Sequence, residues 1–176
     1  MNFEYKHLLS TDLAPTSRAW VYQCNRVFTL AEALDIEDLL NEFAAQWQTH
    51  GAPVKGGAYL LFGQFIVLLA DETATNVSGC STDSSEKKKK SIEQQYSVNL
   101  FDRTMLAFIL KDKLDNDQVQ LLPLSQLQYA VENNFITADT LFFNNMVQTK
   151  AELENKWIVP VKESWLAKKI NEPQKN

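Results

Sequence analysis

The sequence predicts an α+β fold of the ferredoxin-like split βαβ type, carrying a small helical and β C-terminal extension. Three observations lead there. A strong helical repeat follows a first β-rich run. Two apolar runs then lie only two residues apart. A second helix signal precedes a fourth apolar run. The order strand, helix, strand, strand, helix, strand buries two helices on one face of an antiparallel sheet.

Residues 1–17 read as an irregular lead-in ending in Ala14-Pro15-Thr16-Ser17, and residues 19–24 (AWVYQC) favour the first strand. Thr29-Leu30-Ala31-Glu32 is a capping box that opens a helix to about Gln48. Ile36, Leu40, Phe43 and Trp47 fall on one face of it, and His50-Gly51-Ala52-Pro53 supplies the stop. The runs 58–62 and 65–70 are strands, and Gly63-Gln64 between them suits a two-residue type II′ hairpin. A polar loop, 71–82, leads to Asp83-Ser84-Ser85-Glu86, a second capping signature with Asp83 as N-cap. The helix it opens should end near Ser97. Only Ile92 and Tyr96 form its apolar face, so Lys87–Lys90 should stand in solvent. Residues 103–110 (RTMLAFIL) complete the sheet as a fourth strand.

The core is thus expected over 1–118, with 119–176 as an extension packed on the same core. After a charged turn at 111–118, residues 119–122 pair back as a fifth strand. Residues 125–134 form a short helix with Leu127, Ala130 and Val131 inward, and 141–143 a short strand. Thr149-Lys150-Ala151-Glu152 is a third capping box, for a helix to about Trp157, and 162–170 reads as a last helix before a frayed end.

Composition narrows the function classes. Net charge is −5, which argues against general nucleic-acid binding and against anionic lipid. No apolar run nears the roughly 20 residues that span a bilayer, so no membrane insertion is expected. The N-terminus has no apolar signal core, and only two cysteines, Cys24 and Cys80, are present. A reducing cytoplasm is the expected location, with both thiols free.

Phosphate-loop, dinucleotide, zinc-protease, hydrolase and CxxC motifs are absent. No cofactor and no metal site is expected; two Cys and two His far apart do not suit zinc.

One segment stands out, Ser78-Gly79-Cys80-Ser81-Thr82-Asp83-Ser84-Ser85, between a buried strand and a helix N-terminus. Free N–H groups and the helix dipole there favour an anion or a thiolate on Cys80. Ser78, Gly79, Ser81, Ser84 and Ser85 are the candidate binding groups, with Arg103 ahead of the fourth strand. Cys80 is the candidate nucleophile, His50 its candidate base, and Asp83 the third member of a catalytic set. Asp83 also opposes both ideas, because its carboxylate occupies the helix end and raises a nearby thiol pKa. A Ser/Thr/Asp-rich loop is also what a helix cap looks like. Asp102 and Arg103 equally make a strand-edge ion pair, and Trp20, Trp47, Trp157 and Trp165 are core or docking anchors.

The stretches RAWVYQCNRVFT, QTHGAPVKG, SGCSTDSS, NLFDR and KAELENKWIVPVKESWLAK resemble, in that order, a family of small bacterial proteins without a settled activity, often labelled "ABC transporter ATPase". The label implies a phosphate loop and a Walker B strand end, and the chain has neither. Val77-Ser78-Gly79-Cys80 echoes the ABC signature without the Gly-Gln that follows it there. The chain also departs from the family after Ser85, where Glu86 and four lysines replace more apolar residues. A second likeness is to part of a GYF-type module, over Leu122-Pro123-Leu124-Ser125-Gln126-Leu127 and Ile136–Phe143. That resemblance implies binding of proline-rich peptides on exposed aromatics.

The resulting expectation is a non-catalytic binding or interaction protein, presenting the Cys80 loop or the tail aromatics to a protein partner or to another copy of itself. A thiol-dependent enzyme using Cys80 with His50, and a nucleotide or anion binder at Ser78–Ser85, are the alternatives.

Overall fold

The computed structural model describes residues 2–49, 52–71 and 80–171; for Thr49, residues 80–84 and Asn171 it describes the backbone alone. Among these residues the chain forms two antiparallel sheets, a two-stranded ribbon and five α-helices. It divides into two compact units. The N-terminal unit comprises Phe3–Asp102 and Met146–Glu154; the C-terminal unit comprises, among the described residues, Asn2, Arg103–Asn145 and residues 155–171.

In the N-terminal unit, β1 (Arg18–Gln23), β4 (Lys55–Leu61) and β5 (Phe65–Asp71) form a sheet in the order β1-β5-β4. All seven residues of β5 are buried, as a central strand covered on both faces requires. Ile66, Leu68 and Ala70 point to one face, where α1 (Leu30–Gln46) lays Ile36 and Leu40 against them. Phe43 and Trp47 extend that contact, so the expected helix face is the observed one. Alternate residues Phe65, Val67 and Leu69 point the other way.

The lead-in covers that second side. It has almost no regular structure beyond a 3-10 turn at Lys6–Leu8, yet Tyr5, Leu9 and Leu13 are buried. The Ser10 N–H donates to the Tyr59 hydroxyl, and the Lys55 ammonium donates to the Asp12 carbonyl. The Tyr5 hydroxyl donates to the Leu153 carbonyl.

The β4–β5 connection differs from the expected type II′ turn. Phe62 and Gly63 both have positive φ, +56° and +62°, and the Gln64 N–H donates to the Leu61 carbonyl (3.1 Å). This is the type I′ arrangement, centred one residue earlier. Phe62 is held in this unfavourable backbone region by rings on three sides, with centroids of Phe3, Tyr5 and Phe65 at 5.0, 6.0 and 6.4 Å. Gln64 then pairs with Cys24 through both its backbone carbonyl (2.8 Å) and its amide Nε2 (3.1 Å).

α1 ends at Gln46. Beyond it, β2 (Gln48–Thr49) and β3 (Ala52–Pro53) form the short ribbon; His50 and Gly51, the expected stop, lie outside the described residues. α2 runs over Cys80–Tyr96. Arg26 ties the two helices together. Its Nη1 and Nη2 meet both carboxylate oxygens of Glu32 (2.7 and 2.8 Å), and Nη2 also donates to the carbonyl of Tyr96 at the end of α2 (3.1 Å). Glu32 closes the expected capping box, since its carboxylate accepts from the Thr29 N–H (2.8 Å) while Thr29 Oγ1 accepts from the Glu32 N–H (3.3 Å).

The expected fourth strand is not in this sheet. β6 (Met105–Lys111) pairs along its whole length with β7 (Asp117–Pro123), and with β8 (Leu141–Phe143), which pairs with β9 (Ile158–Pro160). The order is β7-β6-β8-β9, so the complete ferredoxin-like sheet does not form. Among the described residues only isolated bridges, Arg18 to Thr149 and Gln23 to Phe101, reach the outer edge of β1. The expected boundary after residue 118 falls inside β7; the units part at Asp102. The physical reason is that both edges of β6 are taken. Asp112 accepts from the Leu114 and Asn116 N–H groups (2.7 and 2.9 Å), which folds 112–116 into the tight turn of the β6–β7 hairpin, and β8 pairs with the other edge through Phe108 with Phe142 and Ile109 with Leu141.

The C-terminal unit has its own core. α3 (Leu127–Glu132) contributes Leu127 and Ala130 to it, with Phe108, Phe142, Ile136, Val161 and Leu166. α4 (Lys150–Lys156), of which Lys150–Glu154 belong to the N-terminal unit, starts at the expected third cap, with Thr149 Oγ1 accepting from the Glu152 N–H (3.2 Å). α5 (Leu166–Asn171) is the shortened last helix, preceded by a 3-10 turn at Val161–Glu163. Trp157 is fully buried and donates from Nε1 to Asn145 Oδ1 (2.9 Å). No helix among the described residues is long and apolar enough to cross a membrane.

Two outcomes test this reading. Gly63→Ala forces a Cβ into a left-handed turn position and should lower stability by about 1–2 kcal/mol in urea unfolding. Hydrogen bonds from Arg26, then the Thr29 N–H, hold the Glu32 carboxyl down at about 2, below its ordinary 4.5. A depressed folded-state value means that its contribution is present above pH 4.5 and is lost as pH falls toward 2. Glu32→Gln should therefore flatten the loss of stability across that window, read as the melting temperature against pH.

Candidate functional site

The structure redistributes the residues singled out by sequence. α2 begins at Cys80, three residues before the expected cap, so Asp83 lies within the first turn of the helix and is not its N-cap. Ser81 and Ser84 share those first two turns. Ser78 and Gly79, and His50, the expected base, lie outside the described residues. Arg103 stands exposed in the turn before β6 and belongs to the C-terminal unit, not to the unit that carries α2.

Ser85 is the one member of the set with a described side-chain environment in α2, and that environment is core. It is fully buried, with its Oγ accepting from the Tyr22 hydroxyl at 3.4 Å. Tyr22 also donates to Glu86 Oε1 at 3.4 Å. Burial pushes the Tyr22 phenol up to about 12, and the Glu86 charge adds to the rise.

The lysine run was expected in solvent, and half of it is not. The Lys89 side chain is only 10% exposed; its ammonium pairs with Glu86 Oε2 (2.8 Å) and lies 4.8 Å from the Phe101 ring centroid and 5.7 Å from that of Tyr22. Lys88 stands 5.8 Å over Phe43. Long lysine stems and cation–π contacts replace the apolar residues that α2 lacks. The thin apolar periodicity could not show this; the signal was in the aromatic partners, Tyr22 and Phe43, on other elements.

The second thiol is inert by position. Cys24 is fully buried, and burial pushes its thiol pKa up. A shallow hollow lined by Lys90, Glu93, Gln94, Val98 and Asn99 lies at the end of α2, with Glu93 already engaged by the Leu100 N–H (2.8 Å).

The C-terminal unit presents a different surface. α3 ends in a Schellman motif. Asn134 takes the left-handed conformation (φ +58°), its N–H donates to the Val131 carbonyl (3.1 Å), and the Phe135 N–H donates to the Ala130 carbonyl (2.8 Å). The reversal brings the Phe135 ring back over the helix to Tyr129, with centroids 6.4 Å apart and planes inclined by 33°. Both rings stay in solvent, 62% and 65% exposed. Ile136, the next residue, is buried in the core and anchors the return. Elsewhere in this unit Trp165 is partly exposed and packs edge-on against Phe142 at 6.1 Å. The segment is the one that resembles a GYF-type module. Sequence reading located it without singling out Tyr129 and Phe135. An Asn-Asn pair ahead of Phe is the signal that could have found the cap.

Comparison with known proteins returns no match to a family model, to a curated protein or to a solved structure.

Lys89→Ala should lower stability by about 1–2 kcal/mol through lost stem packing and cation–π contact. Lys87→Ala and Lys90→Ala, on the exposed side of α2, should stay within about 0.5 kcal/mol of the parent in the same urea titration.

Proposed function

We propose that this chain is a non-catalytic interaction protein whose C-terminal unit binds an extended, proline-rich segment of a partner protein across Tyr129 and Phe135. The observation that supports this most is the exposed ring pair, fixed by a capped helix end rather than by a loose loop. Aromatic faces suit polyproline II segments. Their prolyl rings are apolar, and their backbone loses little entropy on binding because it is already extended. Two rigid side chains with few rotatable bonds also lose little entropy when covered. The resemblance of residues 122–143 to a GYF-type module supports the same ligand class. This reading places the protein in the cytoplasm, where a buried thiol such as Cys24 stays reduced.

The test is a titration of the full chain with synthetic proline-rich peptides, followed by chemical-shift changes in Tyr129 and Phe135. Tyr129→Ala and Phe135→Ala should each weaken binding by about tenfold or more, as central aromatic contacts do. The reading fails if no proline-rich peptide shifts these residues, or if both variants bind as the parent does.

A further inference from the structure

We propose that the outer face of α1, in the N-terminal unit, docks a basic amphipathic helix of a partner protein. Leu30 and Leu34 lie one helical turn apart on the solvent side and are 78% and 56% exposed, with Val27 beside the cap 51% exposed. None of the three is needed by the core, which α1 meets through Ile36, Leu40 and Phe43 on its opposite face. The i, i+4 spacing of the leucines is the pattern that packs against a second helix.

Charge specifies the partner. α1 carries Glu32, Asp35, Glu37, Asp38 and Glu42 and no Lys or Arg. Glu32 is taken up by Arg26. Asp35, Glu37, Asp38 and Glu42 have no ion-pair partner among the described residues, and the exposed ones continue the leucine face toward the C-terminal end of the helix. The last turn holds no basic residue either. Carboxylates toward that end add to the negative pole of the helix dipole, an unfavourable placement that a cationic partner relieves. Apolar residues flanked by uncompensated acids fit a leucine-bearing segment edged with Lys or Arg, and repel nucleic acid and anionic lipid.

The experiment uses the full chain and a synthetic amphipathic helix of leucine and lysine, labelled for fluorescence anisotropy, with a leucine and glutamate helix as the counterpart. The lysine helix should bind and the glutamate helix should not. Leu30→Glu and Leu34→Glu, both at exposed positions, should each weaken binding about tenfold or more. The combined Asp35→Asn, Glu37→Gln, Asp38→Asn variant should weaken it and reduce its dependence on salt. Equal binding of both helices, or undiminished binding by the leucine variants, overturns the proposal. So does a concentration-dependent oligomer in sedimentation velocity that Leu34→Glu abolishes, since the face would then belong to a second copy of the chain.

Discussion

The N-terminal unit depends on the burial of β5. Seven consecutive buried residues cannot be satisfied by one layer of cover, so the strand demands material on both of its faces and a partner at each edge. β1 and β4 supply the edges. α1 supplies one face, with α2 held beside it by Arg26 and by the lysines that lie over Phe43, Tyr22 and Phe101. The lead-in supplies the other face with Tyr5, Leu9 and Leu13. The irregular backbone of residues 3–17 is tolerable there because its polar groups find fixed partners, such as the Tyr59 hydroxyl for the Ser10 N–H.

The outer edge of β1 shows how the two chain segments of this unit are joined. Among the described residues no full strand adds to it. The Ala19 N–H instead donates to the Gln148 carbonyl (2.8 Å), the Lys150 N–H to the Ser17 carbonyl (2.8 Å), and the Asn25 N–H to the Asn99 carbonyl (3.0 Å). Residues 146–154 therefore belong to the N-terminal unit by hydrogen bonding as well as by burial of Leu153. The unit is not a simple N-terminal stretch of chain. Its sheet edge is capped by residues that the chain reaches only after threading β6, β7, α3 and β8.

What was legible in the sequence follows from how local each signal is. The α1 face was readable because four apolar residues repeat at helical spacing and Thr29-Glu32 marks the start. The hairpin existed as read, but its turn was misplaced: Phe62 was counted into β4, whereas rings from the lead-in hold it at positive φ in the turn. The partition into two units was not readable at all. Residues 103–110 have the composition of a sheet strand, and composition does not say which sheet. The deciding fact is β8, a three-residue strand that pairs with the edge of β6 the expected sheet would have used. Lys89 departs from the solvent placement expected for Lys87–Lys90 for a related reason. A lysine declares its charge in sequence, while its stem is apolar, and only the neighbours decide which part matters.

The candidate site shifted for the same cause. Cys80 drew attention as a rare residue type beside a helix start, and the described part of that region resolves into core packing at Ser85. The two surfaces proposed for recognition consist of apolar side chains that the two cores do not use, and they differ in chemistry. Tyr129 and Phe135 offer ring faces fixed by a backbone cap; Leu30 and Leu34 offer branched aliphatic groups in an acidic field. Rings without a dense charge pattern reward shape and a pre-extended backbone. Aliphatic groups amid carboxylates reward a cation and a complementary helix. Neither surface can substitute for the other, because the property that favours one ligand gives nothing to the other. On the two proposals above, the chain would hold two chemically distinct partner segments, each selected by its own physics.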